Sequence, residues 1–218
     1  MYLPRYHQAP SEAALLSLID THALGAWVCH TPDGLVANHV PFVLDRSRGP
    51  QGRLIGHVAR ANPVWRALAA GLPSVVLFQG PQAYITPAWY PGHAAHGCVV
   101  PTWNYAVAHV HGQARAVQER GWLLDMLARV TAAQEAGRTQ PWQMADAPAD
   151  FMERLLRAIV GIEISIERIE GKLKASQDED RADRQGTVQG LRATPDPQAQ
   201  AMADLVQQAL QAEGDATT

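Results

Sequence analysis

The segment GIEISIERIEGKLKASQ (residues 161–177) carries the clearest strand pattern in the chain. Ile162, Ile164 and Ile166 alternate with charged or hydroxyl residues, which is typical of a strand with one buried and one exposed face. We predict that this strand closes an antiparallel sheet. Its last residues include Lys172 and Lys174, the only two lysines among 18 basic residues.

The two lysines suggest an anion pocket. A lysine presents a compact charge on a flexible stem, whereas an arginine presents a rigid planar fork. A chain that otherwise uses arginine would keep lysine where a tight pocket suits the smaller head. The alternative is a pair of solvated side chains at a strand end, and the residues alone leave both interpretations open.

The sequence before this segment is rich in strand-forming residues. The turn residues Thr31–Gly34 separate two such runs and predict a hairpin, and Gly80-Pro81 predicts a second turn. The runs lie at residues 24–30, 35–44, 53–58, 74–79, 83–85, 98–105 and 106–117. Together with the closing strand they predict a mainly β protein with helices (α+β), built on a six-stranded antiparallel body.

Helical spacing of apolar residues predicts four helices, and Asn62-Pro63 predicts the start of a short fifth one. The four lie at residues 10–22, 122–136, 151–159 and 197–210. We predict that residues 1–175 form the main domain and that residues 176–212 form a C-terminal helical extension packed on it. Residues 213–218 are expected to be disordered.

The composition limits the classes of protein to which this chain can belong. The 218 residues are 47% hydrophobic and 18% charged, which is enough for a packed core. No apolar run approaches the roughly 18 to 20 residues of a membrane span, and Met1–Pro10 lacks the order of a signal peptide, so we expect a cytoplasmic protein without membrane contact. Cys29 and Cys98 are the only cysteines, which disfavours a disulfide scaffold and predicts two buried thiols.

Several function classes lack their motifs. The chain contains no GxGxxG, GxxxxGK[ST], GxSxG or HExxH, which disfavours classical dinucleotide, nucleoside-triphosphate, hydrolase and zincin sites. His93, His96 and Cys98 in PGHAAHGC could hold a divalent metal, but a polar loop is the favoured interpretation and we predict no metal site. A net charge of -3 disfavours strong autonomous DNA binding.

Four segments crowd polar and aromatic groups together. They are Asn38-His39, GHVARANP (56–63), AYITPAWY (83–90) and PTWNY (101–105). Rings that cover flat faces, amides and imidazoles along an edge, and basic or hydroxyl groups for an anion suit a planar heteroaromatic ligand with a phosphorylated tail. Composition alone allows many ligands of that kind.

These blocks, in this order, resemble the PaiB-type FMN-binding negative transcriptional regulators. The matching blocks are MYLPRYHQ, GHVARANPVW, FQGPQAYITPAWY, VVPTWNY and GIEISIERIEGKLKASQ, which span nearly the whole chain. The resemblance implies a split β-barrel of the pyridoxamine-phosphate-oxidase-like kind, a homodimer, and FMN at the subunit interface. The chain departs from the family's usual residues at Thr86, Ala175 and Asp178. Because residue 178 differs, no flavin contact is carried over to Asp178.

The resemblance also implies roles for individual residues. Arg60, Lys174 and Ser176 are candidates for the phosphate end of FMN, although Arg60 could instead pair with a local carboxylate. The candidates for the ribityl chain and the isoalloxazine edge are Asn38, His39, His57, Asn62, Thr86, Asn104 and Gln177. The candidate walls are Tyr84, Trp89, Trp103 and Tyr105, and for any one of these rings core packing is the alternative.

The family resemblance predicts an FMN-binding regulatory protein, but one barrel fold can host several activities. The alternatives are an FMN-dependent oxidoreductase that acts on a small molecule and a haem-binding or haem-degrading protein. The sequence contains no helix-turn-helix with a basic recognition face, so we expect any DNA contact to be weak or indirect. No residue qualifies clearly as a catalytic acid or base.

Overall fold

The computed structural model describes residues 1–68 and 71–215, with side chains described up to residue 212. The described residues form seven strands and six α-helices. The strands are β1 Leu24–Thr31, β2 Gly34–Pro41, β3 Val43–Asp45, β4 Arg53–Ala59, β5 Leu72–Ile85, β6 Thr102–Val117 and β7 Ile159–Lys174. The α-helices are α1 Glu12–Thr21, α2 Pro91–Ala95, α3 Arg120–Glu135, α4 Ala149–Arg157, α5 Arg181–Ala193 and α6 Pro197–Asp215.

The strands form one sheet in the order β2-β1-β5-β6-β7-β4-β3. The predicted α+β class and antiparallel pairing are confirmed, since β1 pairs antiparallel with β2 and β5, and β4 with β3 and β7. The predicted number of six strands is wrong, since the structure has seven. The run at 35–44 divides into β2 and β3, whereas the runs at 74–79 and 83–85 join in β5 and those at 98–105 and 106–117 form the single strand β6. After β2 ends at Pro41, Val43 pairs with Ile55 of β4 instead of continuing the hairpin.

Strand β5 runs through Gly80-Pro81, so the predicted turn there is wrong. Its buried positions are even-numbered from Ser74 to Gly80 and become odd-numbered at Ala83 and Ile85. Such a change of phase is what an extra residue at a β-bulge produces. The strand thereby accommodates a proline and still keeps its apolar side chains buried.

The predicted hairpin at Thr31–Gly34 and the four predicted helices are confirmed with small shifts of their ends. Helix α5 was not predicted, because its buried face is largely polar. Asp183, Arg184 and Thr187 are buried there beside Val188 and Leu191. The helix therefore lacks the apolar periodicity by which helices are recognised in a sequence.

The chain divides into two compact units. The central unit consists of Leu16–Phe78 and His109–Ile169, and the terminal unit consists of Met1–Leu15, Gln79–Ala108 and the chain from Glu170 onwards. In the central unit, Ile55 of β4 packs with Leu123 and Met126 of α3 and with Leu156 of α4. In the terminal unit, apolar residues of β5 pack against α5 and α6.

The predicted division into residues 1–175 and 176–212 stays a prediction. Helix α6 reaches Asp215, and residues 216–218 of the predicted disordered tail lie outside the described residues.

Cys29 is buried as predicted, whereas Cys98 is exposed, and neither forms a disulfide. Within the described part of the chain, no helix is both long and apolar enough to cross a membrane.

A buried ion network joins three of the strands in the central unit. The Arg53 guanidinium on β4 contacts the Asp45 carboxylate on β3 at 2.7 Å and also pairs with Glu163 on β7. Arg53, Asp45 and Glu163 are all at least nine-tenths buried. Burial raises the pKa of Asp45, but hydrogen bonds from Ser47 and Arg53 outweigh it and hold the pKa well below its ordinary value.

Candidate functional site

The end of β7 forms a cationic cluster in the terminal unit, which we call the lysine cluster (Lys172, Lys174, Thr102, Asn104 and Ser176). The Lys174 ammonium donates to the Thr102 hydroxyl and, at 3.2 Å, to the Trp103 carbonyl oxygen. Its side chain is only partly buried. Both of these hydrogen-bond partners are neutral, although the charge of Lys174 also acts on Glu179. An ammonium that no carboxylate binds directly suits a phosphate group.

Asn104 lies at the base of the lysine cluster and is fully buried. Its Nδ2 donates to the Ser176 hydroxyl at 2.8 Å, while its Oδ1 has no hydrogen-bond partner among the described residues. Ser176 has a φ of 60°, a left-handed backbone conformation that is uncommon for residues with a side chain. A buried acceptor without a donor is costly unless a ligand or water supplies one.

His7 and Lys172 lie beside Lys174 and were not among the predicted site residues. His7 is 3% exposed, and its Nε2 lies 3.6 Å from the Asp178 carboxylate. Burial lowers the pKa of His7, Asp178 opposes this shift, and the charges of Lys172 and Lys174 add to it. The Lys172 ammonium lies 5.6 Å from the Tyr2 ring centroid and 5.5 Å from that of Tyr105, within cation–π range.

A second feature of the terminal unit is an aromatic groove of about 410 Å³. The Tyr84 and Trp103 rings lie 6.1 Å apart at an angle of 58°, and about half of each side chain is exposed. The Trp103 indole N–H donates to Gln82 Oε1 at 3.2 Å, which fixes the ring. The groove is lined by Gln82, Ala83, Tyr84, Trp89, Trp103, Leu191, Thr194, Asp196, Gln198 and Ala199.

In the central unit, the predicted residues Asn38 and Asn62 form a pair. The Asn62 Nδ2 donates to Asn38 Oδ1 at 2.7 Å, and Asn62 Oδ1 accepts from the Val64 N–H at 3.1 Å. Asn38 faces Trp27 across the β1–β2 hairpin. The Asn38 Nδ2 and the Trp27 Nε1 are buried and find no acceptor among the described residues. These two donors suit the carbonyl edge of a planar ligand.

Arg60 has internal partners in the central unit. Its guanidinium donates to the carbonyl oxygens of Arg157 and Ile159 at 2.7 and 2.9 Å and to Gln118 Oε1 at 2.8 Å. It lies 5.9 Å from the Trp65 ring centroid. No carboxylate is among these partners, so the positive charge is not neutralised by them. The role of Arg60 at the phosphate stays a prediction.

The remaining predicted residues have simpler surroundings. Thr86 caps a short 3-10 helix by accepting from the Ala88 N–H at 3.3 Å. Both ends of the Gln177 amide bind nearby backbone, at Ala175 N and Leu173 O. His39 is exposed on β2, and His57 is half-buried on β4, where burial lowers its pKa.

The predicted site residues thus fall into two groups, one in each unit. Asn38, His39, His57, Arg60 and Asn62 belong to the central unit, and the other nine belong to the terminal unit. The flavin contacts assigned to them stay predictions. The residues that sequence reasoning missed are Trp27, His7 and Thr102, whereas Lys172 was singled out with Lys174 as a possible anion pocket but was not assigned a flavin contact. The position of Lys172, two residues before Lys174 on one strand face, was a usable signal.

A comparison with protein families finds that residues 1–168 match the model described as "Putative FMN-binding domain". The match confirms the resemblance to FMN-binding proteins that the sequence blocks indicated, and with it the flavin as cofactor. Among curated proteins, an uncharacterised protein of Emericella nidulans is 33% identical, with 88% of this chain and 90% of the relative covered. Protease synthase and sporulation protein PAI 2 of Bacillus subtilis is 29% identical, with 96% and 98% covered.

Solved structures with a similar fold include two proteins whose names mention flavin. The FAD and haem binding protein of Mycobacterium smegmatis superposes with a TM-score of 0.56 at 22% identity, over 77% of this chain and 73% of that chain. A flavocytochrome of Azotobacter vinelandii gives a TM-score of 0.54 at 14% identity, over 79% and 72%. At these identities the similarity shows a shared fold.

Proposed function

Since the chain belongs to the FMN-binding domain family whose model spans residues 1–168, we propose that it is a PaiB-type, flavin-binding regulatory protein of the cytoplasm. The observation that carries the proposal is the presence in one cluster of Lys174, whose ammonium is bound only to neutral acceptors, and of Asn104 Oδ1, a buried acceptor that lacks a donor among the described residues. FMN offers complementary groups, because it has a phosphate dianion and a hydroxylated ribityl chain. When bound, FMN supplies a planar ring that can be oxidised and reduced.

In this proposal, different residues of the terminal unit bind different parts of FMN. Lys174 binds the phosphate through its ammonium, and Ser176 adds a hydroxyl donor beside it. Asn104 Oδ1 accepts a hydrogen bond from a ribityl hydroxyl, which removes the cost of leaving that buried oxygen without a donor. Tyr84 and Trp103 cover part of the ring with their exposed faces.

The central unit, taken by itself, also carries hydrogen-bond donors that suit a flavin. Asn38 Nδ2 and Trp27 Nε1 are buried donors that lack acceptors in the described part of the chain. The isoalloxazine ring has carbonyl oxygens and ring nitrogens that accept hydrogen bonds along one edge. These two donors are therefore candidates for a flavin edge, and Asn62 holds the Asn38 amide in orientation through its 2.7 Å hydrogen bond.

Homodimer formation is part of the proposal. Within the terminal unit alone, Tyr2, Tyr6 and Val100 are more than half exposed, in addition to Tyr84. Exposed large apolar groups of this kind are typical of surfaces that bind a partner. We expect sedimentation equilibrium to give about twice the chain mass of 23.7 kDa. A strictly monomeric protein at micromolar concentration would contradict the dimer.

Regulation is proposed to act through a partner, the bound flavin or a reaction product rather than by tight DNA recognition. The net charge is -3, and specific regulators bind DNA with dissociation constants of roughly 10 nM or less at physiological salt. We expect the purified protein to bind DNA more weakly than this in a gel-shift assay. A nanomolar, sequence-selective shift by the protein alone would overturn this part of the proposal.

Two measurements separate the proposed function from its alternatives. A visible absorption spectrum of the protein loaded in turn with FMN and with haemin distinguishes a flavin site from a haem site. Oxidation of NADH or NADPH by the FMN-loaded protein, followed at the nicotinamide absorption band, tests for an oxidoreductase. Turnover well above that of free FMN would favour the enzyme, whereas a rate equal to that of free FMN is expected for a binding protein.

A further inference from the structure

We propose that a phosphate group bound at the lysine cluster makes His7 take up a proton from the solvent, so that FMN and a proton bind together. This inference rests on the flavin-binding function proposed above and adds a pH-dependent regulation of the same site. All the residues involved belong to the terminal unit.

His7 is a buried imidazole whose hydrogen-bonding capacity is unused. Its side chain is 3% exposed, and neither ring nitrogen has a hydrogen-bond partner among the described residues. The Nε2 atom lies 3.6 Å from the Asp178 carboxylate, which is too long for a hydrogen bond but close enough to attract an imidazolium. A histidine in such a place changes its charge readily when a neighbouring charge changes.

The charges of two lysines oppose protonation of this imidazole. Burial is the main cause that lowers the pKa of His7, and Asp178 opposes this shift. The charges of Lys172 and Lys174 lower the pKa further. Gln8, the next residue in the chain, forms an antiparallel bridge with Lys172, which holds this segment against β7. Without a bound anion, His7 is therefore neutral at pH 7.

A phosphate dianion at Lys174 reverses this balance. It offsets the charge of the two ammonium groups, and it adds a negative charge of its own to that of Asp178. Both effects favour the protonated form of His7. Coupling of this kind is reciprocal, so a proton on His7 strengthens phosphate binding by the same factor. The affinity for FMN should therefore rise as the pH falls from 8.5 to 7.0.

Glu179 is a second group near the lysine cluster whose ionisation responds to an anion. Burial and the charges of Asp178 and Asp183 raise its pKa, whereas the charge of Lys174 lowers it. A phosphate that offsets Lys174 would raise this pKa further. The ordinary pKa of the Glu179 carboxyl is 4.5, far below pH 7, so we assign the proton to His7. A Glu179 variant tests that assignment.

Isothermal titration calorimetry of the full chain with FMN at pH 7.0 measures the proton uptake. The binding heat is recorded in PIPES and in imidazole, whose heats of ionisation differ, and the difference gives the number of protons taken up. We expect about 0.5 proton or more per FMN, and an affinity about threefold or more higher at pH 7.0 than at pH 8.5. The second pKa of a phosphate monoester is about 6, so FMN itself contributes only a small proton release. Riboflavin, which lacks the phosphate, should bind without proton uptake.

Four variants identify the group that takes up the proton. His7→Gln should reduce the uptake to near zero. Asp178→Asn should at least halve it, and because the Asp178 side chain is partly exposed, this variant tests the coupling even where His7→Gln does not fold. Glu179→Gln should retain the uptake. So should His93→Gln, which replaces an exposed histidine on α2 in the same unit.

The results for the inference and for the proposed function are distinguishable. FMN binding without proton uptake in the wild type would overturn the inference and leave flavin binding intact. An uptake that survives in His7→Gln, or one that is lost in Glu179→Gln, would do the same. Absence of FMN binding by the folded wild type would overturn both.

Discussion

Replacing Arg53 by methionine is expected to lower the free energy of unfolding by about 3 to 5 kcal/mol. Arg53 is buried between the carboxylates of Asp45 and Glu163, so the substitution leaves two buried acids without their shared cation. Arg115 and Arg129 still contact these acids from the surface, which keeps the loss toward the lower end of that range. Urea unfolding at pH 7 measures the change.

Arg46→Met is the control for Arg53→Met. Arg46 pairs with Asp20 at 2.7 Å, but both side chains are about half exposed, so the loss should stay below about 1 kcal/mol. Equal losses in the two variants would show that the buried network does not stabilise the central unit.

The effect of Arg53→Met should also depend on pH. The pKa of Asp45 in the folded protein lies below its ordinary value of 3.8, so its ionised form stabilises the fold at pH values above that value. This stabilisation is lost as the pH falls below 3.8 toward the folded-state pKa. The difference between wild type and Arg53→Met should therefore narrow in acid.

Replacing Lys174 by alanine should weaken FMN binding by roughly 10- to 150-fold. The reason is the loss of a charge-assisted hydrogen bond to the phosphate, whose typical net contribution is about 1.5 to 3 kcal/mol. Riboflavin lacks the phosphate and should bind both proteins with similar affinity. Quenching of flavin fluorescence on binding measures both ligands.

Two further variants control the Lys174→Ala experiment. Lys174→Arg keeps the charge and should recover part of the FMN affinity. Arg192→Ala removes a cation from helix α5 that pairs with Asp204, and it should leave FMN affinity unchanged. If Lys174→Ala binds FMN as tightly as the wild type while remaining folded, Lys174 does not contact the phosphate.

Sequence patterns predicted the elements whose signal lies within the element itself or in an adjacent turn. The β1–β2 hairpin followed from turn residues, and the long closing strand followed from alternating isoleucines. Strand β3 was missed because the period-two pattern at 35–44 does not reveal that Val43 pairs with Ile55 on a different strand. Helix α5 was missed because polar residues such as Asp183 and Arg184 are buried on it.

In the candidate site, too, contacts between distant parts of the chain could not be predicted from the sequence. The motifs containing Asn104 and Ser176 were identified, and their side chains are hydrogen-bonded although they lie 72 positions apart. The family resemblance assigned Arg60 to the phosphate, yet its guanidinium binds the backbone carbonyls of Arg157 and Ile159, nearly a hundred positions away. Backbone acceptors carry no sequence signal, so this anchoring could only be found in the folded chain.

Titration of the purified, ligand-free protein with FMN is the most direct test of the proposal that this chain binds FMN with Lys174 at the phosphate. The account predicts saturable binding of FMN at one site per chain, and weaker binding of riboflavin because Lys174 attracts only the phosphate-bearing ligand. The flavin absorption band should shift as the ring leaves water. Absence of FMN binding by a folded protein, or equal affinity for FMN and riboflavin, would contradict the account.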